Sequence, residues 1–167
     1  ERLRTAKPPL LVALDGGSGA GKSTLARLLA SELNAALILG DDFYAAEIPD
    51  AEWDHRTPAQ RAARVIDWRR LRAHALEPLL AGKPARWLPF DFSAPRPDGT
   101  YPPHSNAVVR QPADVIILDG AYSSRAELAD LIDLSVLVDV PLAIRHQRLA
   151  AREDPVFLAG WHRRWDA

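Results

Sequence analysis

Cysteine is absent from the 167 residues, and so is methionine. Without a thiol the chain can form no disulfide, no thiolate metal site and no cysteine nucleophile. Without methionine it has no initiator, and the sequence reads as trimmed at its ends. A surplus of charge of one sign is also missing: 21 Lys plus Arg face 22 Asp plus Glu, a net charge of -1. That gives no support to whole-surface attraction to nucleic acid or anionic membrane, so phosphate chemistry must rest on local cations. No apolar run reaches the ~18 residues of a spanning helix, and Glu1-Arg2-Leu3-Arg4 lacks a signal peptide's apolar stretch. A cytoplasmic protein without nucleic-acid or membrane partners is expected. Lysine is scarce: 18 of the 21 basic residues are Arg, spread along the chain as a compositional bias would be. The length suits one domain over 1–167 with its own core.

Four short apolar runs end in, or run into, acidic residues. Pro9–Leu14 ends at Asp15, Ala35–Leu39 at Gly40-Asp41-Asp42, Val115–Leu118 at Asp119, and Val136–Val138 at Asp139. The last two read as central strands. Helical spacing links the runs over 22–33, 59–81, 125–132 and 142–152, with Pro78 expected to shorten the last turn of the second helix. Strands alternating with helices predict an α/β protein with a central parallel sheet and its site at the strand C-termini. The stretch 84–112 differs, holding seven of the 14 prolines together with Trp87, Phe90, Phe92 and Tyr101. It reads as an extended flap or hairpin, because linkers rarely carry so many large aromatics. Trp161 and Trp165, four residues apart near the C-terminus, are expected to bury one face of a last helix.

Gly16-Gly17-Ser18-Gly19-Ala20-Gly21-Lys22-Ser23-Thr24 fits the G-x-x-x-x-G-K-[ST] phosphate loop, between a strand and a helix as that loop requires. Glycines let the backbone N–H groups turn inward around a phosphate chain, and the helix N-terminus adds positive potential. Lys22 would reach the β- and γ-phosphates of ATP, and Ser23 would offer its hydroxyl to Mg²⁺. Asp119 is placed like a Walker-B acid, a second candidate for Mg²⁺. Asp41-Asp42-Phe43-Tyr44 follows the second strand. A carboxylate there can take a proton from a substrate hydroxyl, or the pair can be solvated loop acids over packed aromatics. Arg145, Arg148 and Arg152, spaced three and four apart, share one face of a helix and could neutralise a transferring phosphoryl group. The five histidines share no metal-ligand spacing; His104, in the flap, is a candidate substrate contact.

This set of motifs resembles the uridine kinase family, which is related to nicotinamide riboside kinase, phosphoribulokinase and bacterial pantothenate kinase. The likeness covers most of residues 9–154. It implies a three-layer P-loop NTPase fold with a substrate flap at 84–112 and an Arg-bearing lid at 141–154. It also implies an ATP- and Mg²⁺-dependent kinase acting on a small-molecule hydroxyl. By resemblance Asp41 is the general base and Tyr44 lines the acceptor site. Asp54 in Trp53-Asp54-His55 matches the acid that binds ribose hydroxyls, and Phe90-Asp91-Phe92 matches a flap that packs on the nucleobase. Arg145, Arg148 and Arg152 match the lid arginines, Arg152 being grouped with the nucleotide-binding residues. The chain departs from the family where nucleoside-accepting members carry a pyrimidine-reading His after the flap; here Ser93-Ala94-Pro95-Arg96 stands instead. Phe90 replaces a Tyr, and Asp119 replaces the commoner Glu. A nucleoside or ribosyl acceptor is expected, with pantothenate, a sugar or a sugar acid as the alternative on the same fold. A P-loop ATPase or switch acting on a protein is the alternative of another class. A homo-oligomer is compatible with all of these. Family members run on past the lid through another helix and a final strand, so a core lacking that strand is expected.

Overall fold

The computed structural model describes residues 8–165. Strand β1 (Leu10–Asp15) leads through the glycine loop into α1 (Lys22–Leu33). Helix α1 stops at Asn34, which takes the left-handed conformation (φ 50°) while Ala35 N–H donates to the Ala30 carbonyl at 2.9 Å. Next come β2 (Ala36–Leu39), a 3₁₀ turn over Gly40–Phe43, and helices α2 (Asp50–Asp54) and α3 (Pro58–Arg64). A helical run follows as α4 (Trp68–Leu71), a π turn (Arg72–Leu76) and α5 (Glu77–Leu80). Strands β3 (Ala85–Trp87) and β4 (Val108–Arg110) pair antiparallel, with the rest of the flap between them. The chain ends in β5 (Val115–Asp119), a 3₁₀ turn (Ala126–Leu128), β6 (Leu134–Leu137), α6 (Leu142–Ala150) and α7 (Pro155–Trp165).

The main sheet has the order β2-β5-β1-β6, all parallel. Alternation along each strand divides its residues between two cores. Leu11, Ile38, Ile116 and Leu118 face a large cluster with Phe43, Trp53, Leu71, Leu76 and Leu79, built on the helical run 68–80. Ile117 and Leu14 face a smaller cluster with Ala26 of α1. Helices on both faces of a parallel sheet make the expected three layers. The C-terminal ends of β1, β2 and β5 bring Asp15, Asp41 and Asp119 to one edge of the sheet, where α/β proteins build sites.

Four expectations need correction. The helix over 59–81 is two helical segments, because Val65-Ile66 leave the helix. Ile66 bridges Tyr44 antiparallel, and Ala45 N–H donates to the Val65 carbonyl at 2.9 Å. Capping marks each new start. Thr57 and Gln60 form a capping box on α3, and the Asp67 carboxylate accepts from Arg70 N–H at 3.0 Å on α4. Pro78 does not cut the run short. The helix continues to Leu80, and the π turn just before accommodates the missing N–H. The helix over 125–132 is only a 3₁₀ turn that buries Leu128. Strand β6 lies at the edge of the sheet among the described residues, with Leu137 71% exposed.

Candidate active site

The loop between β1 and α1 holds its shape through glycine. Gly19 has φ +79°, and a Cβ there would sit 2.7 Å from the Arg145 carbonyl oxygen, so lid backbone and loop backbone touch. A Cβ on Gly17 would collide with the Arg145 guanidinium, which lies over it. Arg148 Nη1 donates to the carbonyls of Gly19 (3.2 Å) and Ala20 (3.1 Å). Helix α6 therefore sits as a closed cover on the loop. Arg152 differs from its partners: α6 ends at Ala150, and Asp154 before Pro155 disfavours further helix, so Arg152 lies in the turn beyond. It pairs with Glu153 at 2.7 Å, and its positive charge still reaches Asp41. The expectation of three arginines on one helix face is thus corrected to two on the helix and one past its end.

Lys22 is 8% exposed and donates from Nζ to the Gly17 carbonyl at 3.1 Å. Burial pulls its pKa below the usual lysine value, while the charges of Asp119, Asp41 and Asp15 push the other way. Asp41 opens to solvent along the cleft, yet protein crowds it from below. Burial raises its carboxyl pKa, repulsion from Asp119 adds to the rise, and Lys22 opposes it. Asp119 is 4% exposed, and its Oδ1 is buried without a hydrogen-bond partner. An orphaned carboxylate oxygen beside a phosphate loop suits a hard cation. Ser23 is the first hydroxyl of α1 after the lysine, half-buried at the same end of the sheet.

Sequence reasoning missed Asp15. Its carboxylate accepts from the N–H groups of Gly16 (2.7 Å), Tyr122 (2.9 Å) and Ser124 (2.9 Å), tying the loop after β5 to the root of the phosphate loop. Tyr122 is held there at φ +64°, an uncommon conformation for a non-glycine residue. A cavity of about 350 Å³ beside this knot is lined by Asp15, Ala62, Ala63, Tyr122, Ser124, Arg125 and Glu127. The signal for it in the sequence is its place as the acid that ends the first apolar run.

On the far side of Asp41 the aromatics form a row. Tyr44 packs on Trp53 (ring centroids 5.9 Å) and Phe92 (5.5 Å), Phe92 on Tyr101 (5.3 Å), and Trp53 on Trp165 (5.8 Å). Burial raises the Tyr44 phenol pKa well above its usual value. Tyr101 Oη donates to Asp50 Oδ2 at 3.3 Å. The expected contacts divide. Phe92, half exposed, joins Tyr44, whereas Phe90 stacks on Arg70, whose guanidinium carbon is 4.6 Å from its ring centroid. His104 is exposed and accepts at Nδ1 from Asn106 N–H at 3.2 Å. Asp54 is exposed and held by Arg164 of α7, which donates from Nε at 2.6 Å and Nη2 at 3.2 Å. The hydrogen bond from Arg164 holds the Asp54 carboxyl below its usual range.

Known proteins resemble this chain along most of its length. A family model described as an AAA domain matches residues 12–156. The uridine kinase of Streptococcus pyogenes is 31% identical over 157 residues, 88% of this chain and 69% of that protein. The chain belongs to the uridine kinase family. The uridine kinase of Halobacterium salinarum is 29% identical over 150 residues, and this chain spans 63% of its length. Among solved structures, a possible uridine kinase from Bacillus stearothermophilus superposes with a TM-score of 0.59 at 19% identity, covering 92% of this chain and 87% of that one. A candidate fructose transport system kinase from Silicibacter sp. TM1040 gives 0.62 at 24% identity, covering 89% and 73%. These two establish the P-loop kinase fold. Among the described residues no helix is long and apolar enough to cross a membrane.

Proposed function

We propose that this chain transfers the γ-phosphate of ATP to a hydroxyl of a small metabolite, a nucleoside or ribosyl compound foremost, in the cytoplasm. The observation that carries the reading is the convergence of buried Lys22 and Asp119 with Asp41, which opens to the cleft, at the phosphate loop under Arg145 and Arg148 of the lid. Loop 16–24 would take the phosphates on its N–H groups, with Lys22 and the lid arginines countering charge on the transferring phosphoryl group. Asp41 would accept the proton of the attacking hydroxyl, its raised pKa making it a stronger base than a solvated carboxylate. Ser23 and Asp119 would hold Mg²⁺, which supplies charge neutralisation at the β- and γ-oxygens when bound; the orphaned Asp119 Oδ1 fits that role. Tyr44 and Phe92 would wall the acceptor.

A second reading keeps the reaction and changes the acceptor to pantothenate, a sugar or a sugar acid. It is favoured by Asp54, whose carboxylate is already engaged by Arg164 and so is not free for ribose hydroxyls in this arrangement. The test is an ADP-release screen against nucleosides, nicotinamide riboside, pantothenate, sugars and sugar acids. A metabolite kinase shows acceptor-dependent ADP release with phosphorylated product. Release that never exceeds the ATP-only background defeats both readings and favours a hydrolytic switch.

A further inference from the structure

Two adjacent acids, Asp41 and Asp42, look equivalent in the sequence and are not equivalent in the fold. The acids that act on the charge of Lys22 are Asp119, Asp41 and Asp15, with Asp42 not among them, whereas Asp42 itself is drawn to Arg110 and Arg70. The Asp42 carboxylate instead turns to the flap, where Oδ2 accepts from the Trp87 indole N–H at 2.8 Å. Its backbone carbonyl accepts from Arg70 Nη2 at 2.9 Å, and the other arm of the same guanidinium, Nη1, donates to the Leu88 carbonyl at 3.0 Å. Arg70 also lies over the Phe43 ring (4.9 Å to the centroid) and the Phe90 ring (4.6 Å), and Trp87 packs on Phe43 at 5.4 Å. The base of the clamp is fixed too. Asp67, which caps the helix carrying Arg70, donates from its own N–H to the Phe43 carbonyl at 2.7 Å. Residues 42–43 are therefore gripped through side chain, ring and both carbonyls, and two of the three gripping residues, Trp87 and Arg70, belong to or also hold flap residues 87–90.

We infer that Asp42, Trp87 and Arg70 form a clamp through which the flap positions the Asp41 turn. They are positioning residues: none is placed to meet the phosphates, and each acts through the turn that carries Asp41. The kinetic part rests on the proposed role of Asp41; the structural part does not. Flap movement at 88–90 on acceptor binding would be transmitted through Arg70 to the carbonyl of Asp42, so acceptor occupancy would align the proton acceptor.

The test has two arms. In the first, Trp87→Phe removes the indole N–H but keeps a ring against Phe43. With an acceptor from the screen it should lower kcat about tenfold, a displacement of under 1 Å being enough for that, while KM for ATP stays within about twofold. Asp42→Ala should behave alike, and Asp42→Asn, which retains an accepting oxygen, should recover most of that loss. The second arm needs no acceptor. Hydrogen exchange of Tyr44 N–H, which donates to the Asp41 carbonyl at 3.2 Å, should speed up about tenfold or more in Trp87→Phe. Amides of β1 should exchange as in the parent. A kcat within about twofold of the parent, a loss expressed only in KM for ATP, or unchanged Tyr44 exchange would overturn the clamp. If no acceptor is found, the proposed function fails and the exchange result alone decides the clamp.

Discussion

The two halves of the cleft are built from different materials. On the nucleotide side the contacts are largely backbone: loop carbonyls hold Lys22 and Arg148, and Gly19 lets the lid backbone lie against the loop. On the acceptor side they are side chains: the Tyr44–Phe92–Tyr101 row, the Trp53–Trp165 stack and the Arg164–Asp54 pair. Backbone contacts survive most substitutions around them, so the phosphate half can stay constant. Side-chain contacts change with each residue, so the acceptor half is where relatives of one fold can come to differ in substrate.

That contrast can be broken first on the nucleotide side. Asp41→Asn should lower transfer by roughly 10² to 10⁴-fold, the usual worth of a positioned base. ATP affinity, followed by titration with a fluorescent ATP analogue, should stay within a few-fold, and retained transfer would remove Asp41 from the mechanism. Next is Trp53→Ala on the acceptor side. Trp53 is wholly buried, and its loss should destabilise the fold by about 3–5 kcal/mol in denaturant melts.

The pH profile sharpens the comparison by isolating one charge. Asp41 must be deprotonated to accept a proton, and its pKa is raised, so kcat/KM should climb with pH along an acidic limb lying above the ordinary aspartate range. Asp119→Asn removes a repulsion and should move that limb to lower pH, whatever it does to the maximum rate. An unmoved limb would assign it to another group. The smallest effect is expected at the rim. Arg164→Ala breaks an exposed pair and should cost about 0–1 kcal/mol. Because Arg164 depresses the Asp54 pKa, the stabilisation is present above the ordinary aspartate range. It is lost as pH falls through the depressed value, so parent and variant stabilities should converge in acid.

How far the sequence reveals this arrangement depends on how local each signal is. The phosphate loop, the four strands and the acids Asp41 and Asp119 are readable because each lies within a few residues of the pattern announcing it. The clamp is not, since Asp42 and Trp87 are 45 positions apart and nothing in either segment names the other. The grip of Arg164 on Asp54 crosses 110 positions, and nothing in the segment around Asp54 names Arg164. The break at Val65-Ile66 was hidden for another reason. These residues keep helical spacing, and only the chance to bridge Tyr44 and bury both draws them out. The edge position of β6 was equally invisible, because a run of valine and leucine reads the same whether one side of the strand or both are paired.

Arg70 gives the arginine bias a meaning that composition could not. Its two terminal nitrogens bind two carbonyls from separate segments while its guanidinium lies against two phenylalanine rings. An ammonium group has no plane to stack and no fixed fork to bridge with. Rewriting the chain with lysine for arginine would keep every charge in the ledger and still cut the wire between flap and turn.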